Sequence, residues 1–372
     1  TRYRCTGWTG TGSVSPSGTN ASTEFNITEP STITWNWIAQ YRLTVASDHN
    51  SPDPDVGEHW YDDATLVSAS VDSIADDDGA GTRYRCTGWT GTGSVTPSGT
   101  NASTSFNMFA PSTITWNWVA QYRLTMVTNF GVTDPTVGEH WYDEGTVVGI
   151  EATAPSVIEG ERYVWNGWTG TGTISYTGTD NPAVSAVTMN SPITEEASWS
   201  HEYRLVVESI YDTPEPAVGE HWYEDGTTID AYVNYIADLW IDSTRAICTG
   251  WSGTGAVPPF GLDTATTFTI NYPSSITWNW QRQYWLAMST NFGTTTPVSS
   301  WQDSAATVII GAFPPSEVSG EDYTWLGWTG TGDGSYTGMN NPALVDMLGP
   351  HPVSEQAAWE HLWRLTLSLI HI

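Results

Sequence analysis

The sequence contains no lysine, only three cysteines, and no stretch with the 3.6-residue hydrophobic period of an amphipathic helix. Its basic side chains are all arginine, and 41 acidic residues against 11 basic ones give a formal net charge of −30. Such a charge repels nucleic acid and anionic membrane surfaces. We therefore expect no nucleic-acid partner and no membrane insertion in this fragment.

The cysteines Cys5, Cys86 and Cys248 occupy one equivalent position in a repeated sequence. A disulfide needs Cα atoms within about 7 Å, which equivalent positions of successive repeats do not provide. With no second cysteine in each repeat, a metal cluster is also excluded. We expect each cysteine to be a small buried apolar residue.

A repeat of about 80 residues organises the chain. Tyr-Arg-Leu or a variant begins at nearly equal intervals, at Tyr41, Tyr122, Tyr203, Tyr284 and Trp363. The motif Gly-Trp-Thr/Ser-Gly-Thr-Gly follows the same spacing, at Gly7, Gly88, Gly167, Gly250 and Gly327.

Two types of repeat alternate. Type A repeats, residues 41–121 and 203–283, contain Cys-Thr-Gly-Trp, whereas type B repeats, residues 122–202 and 284–362, contain Thr-Asn-Phe-Gly and Asn-Pro-Ala. Residues 1–40 match the second half of a type A repeat, and residues 363–372 begin another repeat. The tail 367–372 departs from the repeat, and one back-translation of it resembles a transposase end used to build sequencing libraries. We expect this tail to be non-native.

Strict alternation of apolar and polar residues over Ile33–Val45 predicts a half-buried strand. The sequence predicts an all-β fold, a tandem array of small antiparallel β modules. Each module would contain five strands, near residues 41–46, 65–71, 84–90, 103–108 and 114–119. Alternation crosses the repeat boundary without a linker, so the last strand of one repeat should continue into the next and give an elongated rod.

The motif set resembles the divergent internalin-B-type bacterial repeat. The resemblance lies in Gly219–Ile229, Cys248–Gly255, Thr266–Ile270 and Ile276–Trp280. It implies an extracellular or cell-surface bacterial protein whose repeats act as spacers or adhesive segments, with cell-surface glycans or proteins of host or neighbouring cells as partners and no catalytic residues. It also leaves open an α+β alternative, β-grasp-like units with a short helix at Ala231–Ile241.

Two sets of tryptophans recur once in each repeat. The first lies four residues before each Tyr-Arg-Leu motif and is predicted to be structural core: Trp37, Trp118, Trp199, Trp280 and Trp359. The second follows the motif glycine: Trp8, Trp89, Trp168, Trp251 and Trp328. These indoles either pack over their own glycine-rich turn or lie exposed and stack on sugar rings, which would make the chain a carbohydrate-binding array.

Few residues suggest a catalytic or metal-binding role. His59, His140 and His221 each follow a glutamate, but the equivalent place near Trp301 lacks the pair, so we interpret them as solvated loop histidines. The acidic loops at 53–55 and 76–78 are either plain solvated loops or calcium sites, and neither has the spacing of an EF-hand. We expect a non-enzymatic protein with no catalytic residues and no other cofactor.

The predicted rod can be tested by small-angle X-ray scattering. A single globule of this length has a radius of gyration of about 21 Å. We expect the measured radius to be well above this. A radius no larger than that of a single globule would contradict the prediction.

Overall fold

The computed structural model describes residues 1–183, 186–239, 243–316, 318–349, 351–365 and 367. The described residues contain strands and turns and no helix, which confirms the all-β prediction. The helical alternative is wrong, because Thr228–Tyr232 and Ile236–Asp238 are strands. Alternate side chains of this segment, Ile229, Ala231 and Val233, are buried, which is the period of a strand. Ile241, the last residue of that prediction, lies outside the described residues, as do Thr366 and 368–372 of the tail region.

The strands follow the repeats. Residues 1–47 contain β1 Arg2–Thr11, β2 Ser17–Gly18 and β3 Thr32–Ser47. The next strands are β4 Gly57–Asp62, β5 Leu66–Ser70, β6 Ile74–Ala75, β7 Thr82–Thr92, β8 Ser98–Gly99, β9 Ser103–Asn107 and β10 Ser112–Thr128. They are followed by β11 Val132–Asp134, β12 Gly138–Asp143, β13 Val147–Val148, β14 Glu151–Thr153, β15 Glu161–Thr171, β16 Val187–Thr188 and β17 Ile193–Glu208.

The second half repeats this order. It contains β18 Gly219–Glu224, β19 Thr228–Tyr232, β20 Ile236–Asp238, β21 Thr244–Thr254, β22 Phe260–Gly261, β23 Ala265–Thr269 and β24 Ser274–Thr290. The remaining strands are β25 Thr294–Thr296, β26 Ser300–Asp303, β27 Thr307–Phe313, β28 Glu321–Thr331, β29 Ala343–Asp346 and β30 Val353–Trp363.

All five strands predicted for the first type A repeat are present: three lie within β3, β7 and β10, and β5 and β9 are shorter than predicted by one residue at one or both ends. The prediction missed β4, which carries Gly-Glu-His-Trp-Tyr-Asp and forms a hairpin with the second half of β3. Its sequence does not alternate between apolar and polar residues, and most of its side chains are half-buried. Periodicity therefore carries no signal for this strand.

The long strands β3, β10, β17 and β24 pass from one repeat into the next without interruption, as the sequence predicts. The first part of β10 pairs antiparallel with β7, and its second part pairs antiparallel with β12. The first five residues of β10 also pair in parallel with the last five residues of β3. Its own last five residues pair in the same way with the start of β17.

These parallel pairings close the hydrophobic core of each repeat. In the first type A repeat, Leu43 and Val45 from the end of β3 meet Ile114 and Trp116 from the start of β10. The β5–β9 pair covers them with Val67 and its neighbours. Equivalent clusters fill the second type A and second type B repeats. A repeat thus completes its core only with strand residues from both of its boundaries.

The contacts divide the chain into two compact units. The first comprises Thr1–Pro155 and Trp165–Trp199. The second comprises Ser156–Val164 and the described chain from Ser200 onward.

Candidate functional site

The Gly-Trp tryptophans are buried, so they do not offer the exposed faces that sugar stacking requires. Their relative exposures are 7%, 6%, 2%, 7% and 2% for Trp8, Trp89, Trp168, Trp251 and Trp328. The indole of Trp89 lies against Gly99, the residue opposite it in the β7–β8 pair. A Cβ added at Gly99 would come within 2.1 Å of that ring, so only glycine fits there.

A β-bulge explains how the Gly-Trp indoles reach the buried face of the sheet. Strict alternation puts Trp89 opposite to Cys86, but the register shifts after Trp118 pairs with Cys86, so that Asn117 pairs with Gly88. Gly88 has φ +115°, a conformation that side chains disfavour. The extra residue turns both Cys86 and Trp89 inward.

The tryptophans that precede the Tyr-Arg-Leu motifs differ in burial. Trp199 and Trp359 are buried, and Trp118 and Trp280 are half-buried against the cores of their repeats. The core prediction is wrong for Trp37, which is 60% exposed. In the later type A repeats the indole N–H donates to a serine at the end of the preceding long strand, and no described residue takes that place beside Trp37.

The Glu-His pairs serve two separate structural contacts. Glu58 forms an ion pair with Arg42 at 2.8 Å, while His59 Nε2 lies 2.6 Å from the carbonyl oxygen of Asp55. The pairs at 139–140 and 220–221 do the same. All three histidines lie in strands, which corrects their assignment to loops. Neighbours along a strand point to opposite faces, so neither pair residue can assist the other.

An arginine–tryptophan contact recurs at four repeat boundaries and was missed in the sequence. The guanidinium carbon lies 4.1–4.6 Å from the indole centre in four pairs: Arg2–Trp60, Arg83–Trp141, Arg162–Trp222 and Arg245–Trp301. This is a cation–π geometry. The only sequence signal is spacing, because Arg2, Arg83 and Arg245 each stand 38 residues before a glutamine that they contact.

A glutamine extends three of the four contacts into a clamp across three strands, whereas Arg162 contacts Glu202 instead. Arg83 Nε on β7 donates to Gln121 Oε1 on β10 at 2.9 Å, and Gln121 Nε2 donates to Asp143 Oδ1 on β12 at 2.8 Å. Arg85 donates to the same carboxylate. The hydrogen bond from Arg85 holds the pKa of Asp143 below its usual value. We call this set, with Trp141, the boundary clamp.

The acidic loop at 76–78 uses the carboxylates of Asp76 and Asp78 in local contacts. Asp78 Oδ1 accepts hydrogen bonds from the backbone N–H groups of Thr82, Ala80 and Gly81, which lower its pKa. Asp76 contacts His49 at 2.6 Å. Within the described part of the chain, no group of three or more His, Cys, Asp or Glu side chains could hold a metal ion.

Two of the three cysteines are buried, as the sequence predicts. Cys86 and Cys248 are buried, and Cys5 is half-buried. Burial raises the pKa of Cys248, which disfavours the reactive thiolate.

Each type B repeat contains a buried glutamate where a type A repeat has isoleucine. Glu195 and Glu355 are 0% exposed, and Ile114 and Ile276 occupy the equivalent places. One oxygen of Glu195 accepts the N–H of Tyr176 at 2.6 Å, and the other makes no hydrogen bond. Burial raises the pKa of Glu195 from 4.5 to about 7. Because the carboxyl group is fully enclosed, it has no access to a substrate.

One open cleft lies in the second type A repeat. Its volume is about 580 Å³, and it lies between the end of β17 and the middle of β24. Its lining combines apolar and polar groups, including Ile210, Val218, Trp280, Glu208 and Asn279.

Comparison with protein-family models, curated proteins and solved structures gives no match to this chain. Among the described residues, the structure contains no helix of the length and apolarity needed to cross a membrane.

The boundary clamp requires a planar guanidinium at Arg83, because this group stacks on Trp141. Arg83→Lys keeps the charge but loses the stacking on Trp141, so we expect β12 to lose about 1 kcal/mol of stability against local opening. Hydrogen exchange of the β12 amides should become roughly fivefold faster. Arg123→Lys is the matched control, since its ion pair with Glu139 is exposed and should contribute little. Equal effects from both substitutions would contradict the prediction.

Glu195 predicts a loss of stability as pH rises. Its folded-state pKa of about 7 exceeds the ordinary value of 4.5, so the folded protein binds this proton more tightly than the unfolded chain. The stability of the first type B repeat should fall by roughly 3 kcal/mol as pH rises from below 4.5 through 7.

Denaturant unfolding across this pH range is the measurement, with Glu195→Gln and Glu195→Ile as variants. Both variants should reduce the slope by the part that Glu195 contributes, because neither side chain titrates, while Glu355, whose pKa burial also raises, keeps its own contribution. A slope unchanged in both variants would rule out Glu195 as its source.

Proposed function

We propose that this chain is a non-enzymatic extracellular repeat segment that serves as a spacer or adhesive part of a larger bacterial surface or secreted protein. The observation that carries the proposal is the way in which repeats are joined. The long strands β3, β10 and β24 cross repeat boundaries without a linker. An arginine, a glutamine and an aspartate link the strands on both sides of each of these long strands by hydrogen bonds.

The residues that could act as catalytic groups also support a non-enzymatic role. Glu58 and His59 are engaged in separate contacts, Glu195 is enclosed, and Cys86 is buried. An enzyme needs such groups to converge on an accessible place. The resemblance of the motifs to internalin-B-type repeats motivates the extracellular location. The burial of the Gly-Trp indoles removes the support for a carbohydrate-binding array built on them.

The test places the segment on a bacterial surface between an anchor and a binding module. Versions with one or two A–B pairs are compared with flexible Gly/Ser linkers of the same chain length. A spacer should improve capture of the module's target as pairs are added. An adhesive segment should make cells bind host or neighbouring cells without any module. If neither effect exceeds that of the Gly/Ser control, the proposal fails.

A further inference from the structure

The cleft of the second type A repeat lies over a short open edge of β24. On this edge β17 pairs with β24 as far as Glu208 and Thr277, and β26 begins to pair at Gln283 and Asp303. No described strand pairs with residues 278–282 on this side. Such an edge presents backbone N–H and C=O groups that another chain can use.

The type B repeats fill the equivalent gap with an asparagine side chain. Asn129 Nδ2 donates to the carbonyl oxygen of Trp199 at 2.7 Å, and the N–H of Trp199 donates to Asn129 Oδ1 at 3.0 Å. Asn291 makes the same two bonds to Trp359, at 2.7 and 2.9 Å. One carboxamide thus satisfies both backbone groups of the tryptophan in the gap.

The second type A repeat keeps the same backbone but lacks the carboxamide. Trp280 pairs with Cys248 immediately before a bulge, just as Trp359 pairs with Trp325 before its own bulge. Its N–H and C=O therefore point to the open edge, as those of Trp359 do.

The turn that carries the filling residue is also the same. Ser209 Oγ donates to the carbonyl oxygen of Tyr211, as Thr290 Oγ1 does to that of Phe292. A residue with positive φ follows in both turns, Asp212 at 61° and Gly293 at 77°. The position of Asn291 is taken by Ile210, whose side chain is 75% exposed and has no hydrogen-bonding group.

We propose that the open N–H and C=O of Trp280, which we call the Trp280 slot, receive the side-chain carboxamide of an asparagine on a partner peptide. The chain itself shows the fit twice, with Asn129 and Asn291. A turn of the Thr-Asn-Phe-Gly kind is the form in which the chain presents this group.

The chemistry of the slot selects a primary carboxamide. Its oxygen and one of its N–H groups lie on the same side, so it can accept from the Trp280 N–H and donate to the Trp280 C=O together. The trans secondary amide of a peptide bond or of an N-acetyl sugar points these groups in opposite directions. An added β-strand is excluded by space, because β17 and β26 close both ends of the gap.

The rim supplies contacts for the rest of a peptide. Ile210 and Val218, 75% and 55% exposed, form an apolar wall for a neighbouring aromatic side chain. The indole of Trp280 is held in place by a 3.0 Å hydrogen bond from its Nε1 to Ser209 Oγ. The exposed carboxylate of Glu208, bonded to the Thr277 hydroxyl at 2.9 Å, can accept a peptide N–H.

The Trp280 slot would be the place at which an adhesive segment binds its partner. In this respect the inference rests on the proposed function. The experiments below use the full chain in solution. If they fail, the proposal of the slot is refuted, whereas the spacer proposal is still decided by the cell-surface test.

The first experiment measures hydrogen exchange of single backbone amides by NMR. We expect the Trp280 N–H to exchange at least tenfold faster than the Trp359 N–H, because only Trp359 is bonded to an asparagine. Ile210→Asn should slow Trp280 to the rate of Trp359, and folding is expected because asparagine is native at this place in type B repeats. Equal protection of Trp280 and Trp359 in the unmodified chain would overturn the proposal.

The second experiment titrates a capped peptide with the sequence of residues 289–294 and follows the Trp280 amide resonance. We expect a saturable shift, at least a tenfold weaker response when aspartate replaces the peptide's asparagine, and no response with the Ile210→Asn chain. Ile210→Ala is the matched control and should still bind, since it leaves the slot open. Equal responses to both peptides, or a response to N-acetylglucosamine alone, would refute the assignment.

Discussion

Backbone hydrogen bonding along the long strands is the constraint on which the other features depend. A strand such as β10 has two edges and 17 residues, and it uses them for β3, β7, β12 and β17 in turn. The parallel pairing at each end brings Leu43 beside the start of the following long strand, where it is fully buried. Each repeat therefore closes its core with its own residues, and the same long strand then carries the chain into the next repeat.

The charge composition follows from the same boundary. Four partners on two edges leave side chains of three strands side by side at the crossing point, where Arg83, Gln121 and Asp143 meet. Arginine suits this place because one planar group can stack on Trp141 and donate in its own plane. Lysine cannot do both. Several of the few basic residues thus lie where strands meet, whereas the described acidic side chains other than Glu195 and Glu355 are not buried.

The two-residue alternation of apolar and polar residues predicted those features of the fold that depend on burial of every second side chain. The all-β class and the uninterrupted long strands follow from that pattern. The bulge at Gly88 could not be read from it, because a single extra residue inverts the face of Trp89. Trp37 was misplaced because the residues that cover its counterparts come from the preceding long strand. The role of Asn129 lies in a contact 70 residues away, which local sequence does not encode.

The shared strands also bear on how such a chain can change length over generations. An insertion or deletion of one residue inside β10 would reverse inward and outward faces in two repeats at once. The repeat at 284–362 is slightly shorter than the others, and its strand β26 has four residues where the equivalent β12 has six. We infer that changes of length are tolerated in edge strands such as β26, whereas the long strands keep 16 or 17 residues.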